Sequence, residues 1–155
     1  MERICLETQV DAPPERCFDL SRSVDLHVAS MGEAQERAVA GVTSGLMKLG
    51  DVVTWEARHF GLRQRLTVRI DGFERPAFFS DSQVRGIFKE FQHVHRFIPL
   101  GAGTMMKDVF EFTAPFGVFG RLAEPVVARH LRGLLQARNQ AIKSIAESDE
   151  WKRYL

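Results

Sequence analysis

The sequence predicts an α+β domain in which a curved antiparallel sheet wraps around a long C-terminal helix, with two short helices after the first strand. Three observations predict it. Between Ala34 and Ala114 strand-like runs follow one another, separated by turn residues; beyond Gly117 apolar residues recur at helical spacing; and the opening strand leads directly into two helix starts. A chain of 155 residues is expected to form one domain over 1–155, long enough to bury a full core.

Ile4, Leu6, Thr8 and Val10 alternate with Cys5, Glu7 and Gln9, which predicts a half-buried first strand. Asp11-Ala-Pro-Pro14-Glu15 then starts a short helix, because proline is tolerated in a first turn and glutamate suits the N-terminal dipole. Ser23 caps a second one running to Met31, where Gly32 releases the chain. Six strands follow as an antiparallel meander: Ala34–Ala40, Asp51–Phe60, Leu62–Phe73, Ala77–Arg85, Phe88–Phe97 and Gly103–Ala114. After Pro115-Phe-Gly117, the residues Phe119, Leu122, Val126, Leu131, Leu134, Leu135, Ile142 and Ile145 mark one long amphipathic helix. Pro125 predicts that this helix either starts near Glu124 or kinks there. Arg129, Arg132, Lys143 and Glu147 are assigned to its solvent side, and Glu150–Leu155 is expected to fray.

The fifth and sixth strands of this meander carry the functional signal. On Phe88–Phe97, residues Phe91, His93, His95 and Phe97 share one face, and on Gly103–Ala114 so do Met106, Asp108, Phe110 and Phe112. A hairpin turning near Leu100–Gly103 brings His93, His95 and Asp108 to the same face. Polar groups planted in an apolar wall suit a ligand cavity. Twelve phenylalanines against one tyrosine and two tryptophans also favour a greasy interior with few built-in hydrogen-bond handles.

Composition excludes other classes. Twenty-one Lys and Arg against 20 Asp and Glu give a charge of +1, which favours neither nucleic acid nor an anionic membrane as partner. No apolar run approaches the ~18 residues a membrane span needs, and the N-terminus has no signal-peptide pattern, so a cytoplasmic protein without stable membrane insertion is expected, as monomer or homodimer. Cys5 and Cys17 lie in no metal or redox spacing and are expected as reduced, buried thiols. Gly101-Ala-Gly103 lacks phosphate-loop spacing and opens no helix. Ser80, Ser82 and Thr104 lie in no nucleophile motif.

The order of elements and the opening Ala12-Pro-Pro-Glu-Arg-Cys-Phe18-Asp-Leu20 resemble the START-like superfamily known as SRPBCC, the helix-grip or Bet v 1-like fold. Within it, Gly50–Gly61, Asp81-Ser-Gln83-Val-Arg-Gly86-Ile-Phe88, His93-Val-His95-Arg-Phe97, Thr104–Asp108 and Pro115-Phe-Gly117 resemble a bacterial branch often labelled polyketide cyclase-like. The resemblance implies the fold and a hydrophobic cavity between sheet and C-terminal helix. It implies no reaction, because the superfamily spans carriers, receptors and enzymes.

The expected ligand-lining set is His59, Gln83, Phe88, Phe91, His93, His95, Phe97, Met106, Asp108 and Phe110 from the sheet, with Leu131 and Leu135 from the helix. Gln83 has an alternative, satisfying a strand edge or backbone group. Glu56, Arg58, Arg63, Arg65 and Arg69 form a ladder on the half-solvated outer face, while Trp55, Ala57 and His59 face inward. His93-x-His95 would suit a metal with Asp108 or His59 completing the site, but the resemblance lends it no support, and neither metal nor cofactor is expected. The leading function is binding of a small hydrophobic or amphipathic molecule. The alternative is a cyclase or dehydratase-like enzyme in which His93 or His95 is a general base and Asp108 orients it. A third class is an interaction protein whose interior is filled by the phenylalanines.

Overall fold

The computed structural model describes residues 1–155, apart from the side chain of Glu33. Strand β1 (Glu2–Val10) leads into α1 (Pro14–Ser21) and α2 (Val24–Ser30); β2 (Arg37–Gly41), β3 (Val52–His59), β4 (Leu62–Glu74), β5 (Phe78–Arg85), β6 (Glu90–Leu100) and β7 (Gly103–Thr113) follow, and α3 (Gly117–Ala146) closes the fold. The seven strands form one antiparallel sheet in the order β1-β7-β6-β5-β4-β3-β2. The meander is therefore as predicted, and β1 is added beside its last strand. Helix α3 packs on β1, β7, α1 and α2. No helix among the described residues is long and apolar enough to cross a membrane.

Local chemistry sets the helix starts. Pro14 occupies the first turn of α1, where its missing N–H costs nothing, and the Ser23 hydroxyl accepts from Leu26 N at the start of α2. Ser23→Ala should lower stability by about 1 kcal/mol through loss of that cap, measurable by urea unfolding. Phe18 is fully buried and meets the rings of Phe73, Phe79 and Phe97 edge-on at 5.2 to 5.4 Å, which pins α1 to the β4–β6 part of the sheet. The remaining core comes from the inward parity of the strands, including Ile4, Val53, Val68 and Phe112.

Four expectations need correction. The strand placed at Ala34–Ala40 begins only at Arg37, because Gly32–Ala34 continues from α2 as a turn of 3-10 helix. Helix α3 begins at Gly117, well before Pro125, so of the two alternatives the start near Glu124 is not realised. Arg121, whose carbonyl lacks the N–H that a residue other than proline would offer, is exposed, so water can satisfy it. Gly120 permits the tight entry, since a Cβ there would overlap the Pro115 carbonyl oxygen. The C-terminus does not fray: Asp149–Arg153 forms a 3-10 turn, Trp151 and Tyr154 pack on the core, and the Arg16 guanidinium lies 4.3 Å from the Trp151 ring. Of the two cysteines only Cys17 is buried; Cys5 takes the outward parity of β1 and is exposed.

Candidate functional site

A cavity of about 620 Å³ lies between the concave sheet face and α3. Trp55, Leu66, Val68 and Ile70 form the β3–β4 wall, Phe88, Phe91 and Phe110 the aromatic floor, and Leu131, Leu134 and Leu135 the α3 side. Phe60 and Phe116 also line it and are 59% and 85% exposed, so the mouth has an apolar rim. The phenylalanines thus do not fill the interior. Phe91 sits 4.7 Å from Phe110 and 5.9 Å from Phe88, ring to ring, and this cluster coats the wall while leaving the volume open.

A buried polar cluster on β5 and β6 interrupts that wall. Pairing of β6 with β7 sets His95 opposite Asp108 and His93 opposite Phe110, and pairing of β5 with β6 sets Asp81 opposite His93. Side chains of equal parity then meet across the strands. His93 Nε2 donates to Asp108 Oδ1 (2.8 Å), and His95 Nε2 donates to Asp81 Oδ1 (3.0 Å). From α3, Arg138 Nη1 donates to Asp108 Oδ1 (3.4 Å) and Asn139 Nδ2 to Asp108 Oδ2 (2.7 Å). Arg138 Nη2 also donates to His95 Nδ1 (3.4 Å), which fixes that ring's tautomer with its proton on Nε2. Asp108 is the hub of this network, and it ties the sheet to the helix.

Burial drives the electrostatics. Desolvation, reinforced by the adjacent His95, pushes the His93 pKa down to about 4, so the ring is neutral at pH 7. Burial alone would raise Asp108, but the hydrogen bond from His93, the adjoining His95 ring and the charge of Arg138 outweigh it and hold the carboxyl well below its ordinary range. Asp81 is likewise lowered against its burial by the bond from His95. Two carboxylates and one guanidinium therefore face each other beside neutral His93. His93 Nδ1 has no hydrogen-bond partner among the described residues, and the ring lines the cavity.

Residues 10–138 match the sequence profile of the family described as polyketide cyclase / dehydrase and lipid transport. The chain belongs to this family. Solved structures of the same helix-grip fold include the Zhui aromatase/cyclase of Streptomyces sp. R1128, with 15% identity, TM-score 0.75, and 94% of this chain and 93% of that one covered. The TTHA0849 protein of Thermus thermophilus has 18% identity and a TM-score of 0.74 over 94% of this chain and 99% of that one. Major latex-like protein 151 of Panax ginseng has 13% identity and a TM-score of 0.65 over 95% and 98%. At these identities the likeness establishes the fold alone. No curated protein matches the sequence.

For this family member the cavity wall includes His59, Phe88, Phe91, His93, His95, Phe110, Leu131 and Leu135 from the expected set. Four expected residues lie elsewhere. Gln83 donates to Phe88 O (2.8 Å) and accepts from Phe88 N (3.1 Å), so its amide closes the β5–β6 turn, and Gly86 and Ile87 take the wall position instead. Phe97 packs against Phe18, Met106 is buried beside it in the sheet, and Asp108 stands behind His93 rather than on the wall. His59 does face inward, but its Nδ1 bonds His130 Nε2 from α3 (3.0 Å) near the mouth. On the outer face Glu56 is buried instead of solvated, because Arg37, Arg65 and Arg63 cover it at 2.6, 2.9 and 3.7 Å.

Asp81, His130, Arg138 and Asn139 join the site without having been singled out from the sequence. Arg138 has a legible signal: it falls on the stripe of Leu131, Leu134, Leu135 and Ile142. Asp81 shares the inward parity of Phe79 on β5. His27 also reaches the cavity, bonded to Glu36 Oε1 (2.8 Å) and packed on Trp55 at 4.2 Å.

Proposed function

We propose that the protein binds one small hydrophobic or amphipathic molecule, of lipid, polyketide or aromatic type, in the cavity between sheet and α3. The observation that carries this is a volume of about 620 Å³ with mostly apolar walls, exposed phenylalanines on its rim and a few placed polar groups, Asp81, His93 and His95 among them. Pockets of ~300–1,000 Å³ with few placed polar groups are the usual form of small-molecule sites. The family description, which names both cyclases and lipid transport, supports the same class. Burial of ligand apolar surface at ~25 cal/mol per Å² would supply most of the affinity. Residues 1–155 act as one domain, as a cytoplasmic monomer or homodimer without a nucleic-acid partner.

The test is titration with the apolar fluorophore 1-anilinonaphthalene-8-sulfonate. One probe should bind per chain, and the double variant Ala57→Phe/Leu131→Trp, which fills the cavity from β3 and α3, should weaken binding at least about tenfold at a stability cost of no more than about 1–3 kcal/mol. Undiminished binding to the filled variant would sink the proposal.

A second reading rests on the unpartnered Nδ1 of His93. Asp108 holds the ring by Nε2, so Nδ1 is a base nitrogen facing the cavity, suited to removing a proton from an acidic carbon as in cyclisation or dehydration. The Zhui aromatase/cyclase shares the fold. In an enzyme of this kind His93→Gln removes turnover, whereas in a carrier it alters affinity or selectivity alone.

A further inference from the structure

We infer that Asp81, His93 and His95 form a binding site for one divalent first-row transition-metal ion in the cavity wall. One donor atom from each of the three lies within 4.8 Å of the others, and two of the residues, His93 and His95, are each only 5% exposed. Two imidazoles and a carboxylate are a donor set suited to zinc or ferrous iron, with remaining coordination positions open. The strand geometry creates it: His93 and His95 share a face of β6, and Asp81 arrives from the neighbouring β5 opposite His93. The sequence pattern pointed to Asp108 or His59 as the third ligand. In the fold Asp108 lies behind the histidines and His59 is engaged by His130.

What makes the trio more than a cluster is the carboxylate behind it. Asp108 Oδ1 stands 2.8 Å from His93 Nε2 and 3.2 Å from His95 Nδ1, so it can accept from one nitrogen of each ring. That leaves His93 Nδ1 and His95 Nε2 as donors, the latter already 3.0 Å from Asp81 Oδ1. A carboxylate on the remote nitrogen of a ligating histidine is the usual orienting partner of metal sites. His93 already has its proton on the Asp108 side. His95 needs the other tautomer, its proton moving from Nε2 to Nδ1, where Asp108 Oδ1 accepts it in place of the 3.4 Å donation from Arg138 Nη2. Arg138 and Asn139 anchor Asp108 from α3 and keep it from joining the ion.

Charge points the same way. Asp81 has no lysine or arginine within ion-pair distance among the described residues, and the single guanidinium of Arg138 faces Asp108. The cluster therefore has a carboxylate to spare for a cation. Metal–ligand bonds of ~2.0–2.2 Å require donors roughly 3–3.5 Å apart, so donors within 4.8 Å of one another must close by at most roughly 1.3–1.8 Å through side-chain rotation on binding. The ion would present its open positions to the cavity, where an oxygen donor on a bound molecule could complete its shell. The site does not depend on the cavity ligand: failure of fluorophore binding would leave it standing.

The experiment is Zn²⁺ titration by calorimetry on untagged, chelator-treated protein, with Co²⁺ absorption as the spectroscopic readout. One ion per chain is expected, with visible Co²⁺ ligand-field bands showing nitrogen and oxygen ligation. Asp81→Asn and His93→Gln should each weaken Zn²⁺ binding at least about tenfold, and Asp108→Asn about 10- to 100-fold, as loss of an orienting carboxylate does. His130→Gln should leave it unchanged. Absence of stoichiometric Zn²⁺ and Co²⁺ binding overturns the inference, as does binding that survives Asp81→Asn and His93→Gln or disappears in His130→Gln. Asp81→Asn is near-isosteric, and circular dichroism of each variant separates loss of the site from loss of the fold.

Discussion

Replacing Asp108 by alanine should destabilise the protein by about 3–5 kcal/mol, the range for removing one partner of a buried charge pair. Arg138, 3% exposed, would keep its charge with no carboxylate within ion-pair distance, and His93 Nε2 and Asn139 Nδ2 would lose their acceptor. The penalty comes chiefly from the stranded guanidinium, since a buried charge without its partner forfeits its hydration for nothing in return. Thermal unfolding should fall by roughly 6–20 °C at ~2–4 °C per kcal/mol for a chain of this size. The double variant Asp108→Ala/Arg138→Met should recover much of that loss by removing the orphan charge. A single variant within about 1 kcal/mol of wild type, or a double variant that falls further, would show that the sheet-to-helix network is not held by this pair.

Acidification should weaken the fold well before general acid denaturation. His93 protonates at about 4 in the folded state, against ~6.5 for an ordinary histidine in the unfolded chain. Between those values the unfolded chain binds the extra proton and the folded one does not, so stability is full above pH ~6.5 and declines as pH falls toward 4, by about 3 kcal/mol in all. Asp108 and Asp81, both lowered, add their own loss at the acid end: their contribution is present above the unfolded carboxylate value and disappears as pH falls through the folded one. Urea midpoints measured from about pH 7.5 to 4 check this. His93→Gln should flatten the slope between about 6.5 and 4, and a wild-type curve that is flat there would refute the buried neutral imidazole.

Much of this is legible along the chain. Period-two alternation identifies the inner face of β6 and β7 correctly, because every residue from Phe91 to Phe97 and from Thr104 to Phe112 obeys strand parity. Parity also brings Asp108 next to His93 and His95 once the hairpin register is set. Contacts from α3 and the choice of partner within the strand stack are harder to read. Gln83 has the parity of a wall residue yet turns to the backbone of Phe88, since a tight β5–β6 connection leaves that backbone needing partners. Arg138 carries a charge on a helix whose legible signal is its apolar residues, although its position on the stripe makes it the group that neutralises Asp108.

By itself the sequence determined the class of fold, the order of its elements and the inward set of aromatic and imidazole side chains, because backbone periodicity and turn chemistry are local. The tertiary structure alone decided that the aromatics leave a cavity open, that Asp81 rather than His59 joins the histidines, and that Asp108 serves as a bridge to α3. Those outcomes depend on sheet curvature and on where a helix packs against strands far from it along the chain. They are also settled by the requirement that buried polar groups find partners: every fully enclosed side-chain nitrogen and oxygen among the described residues has one.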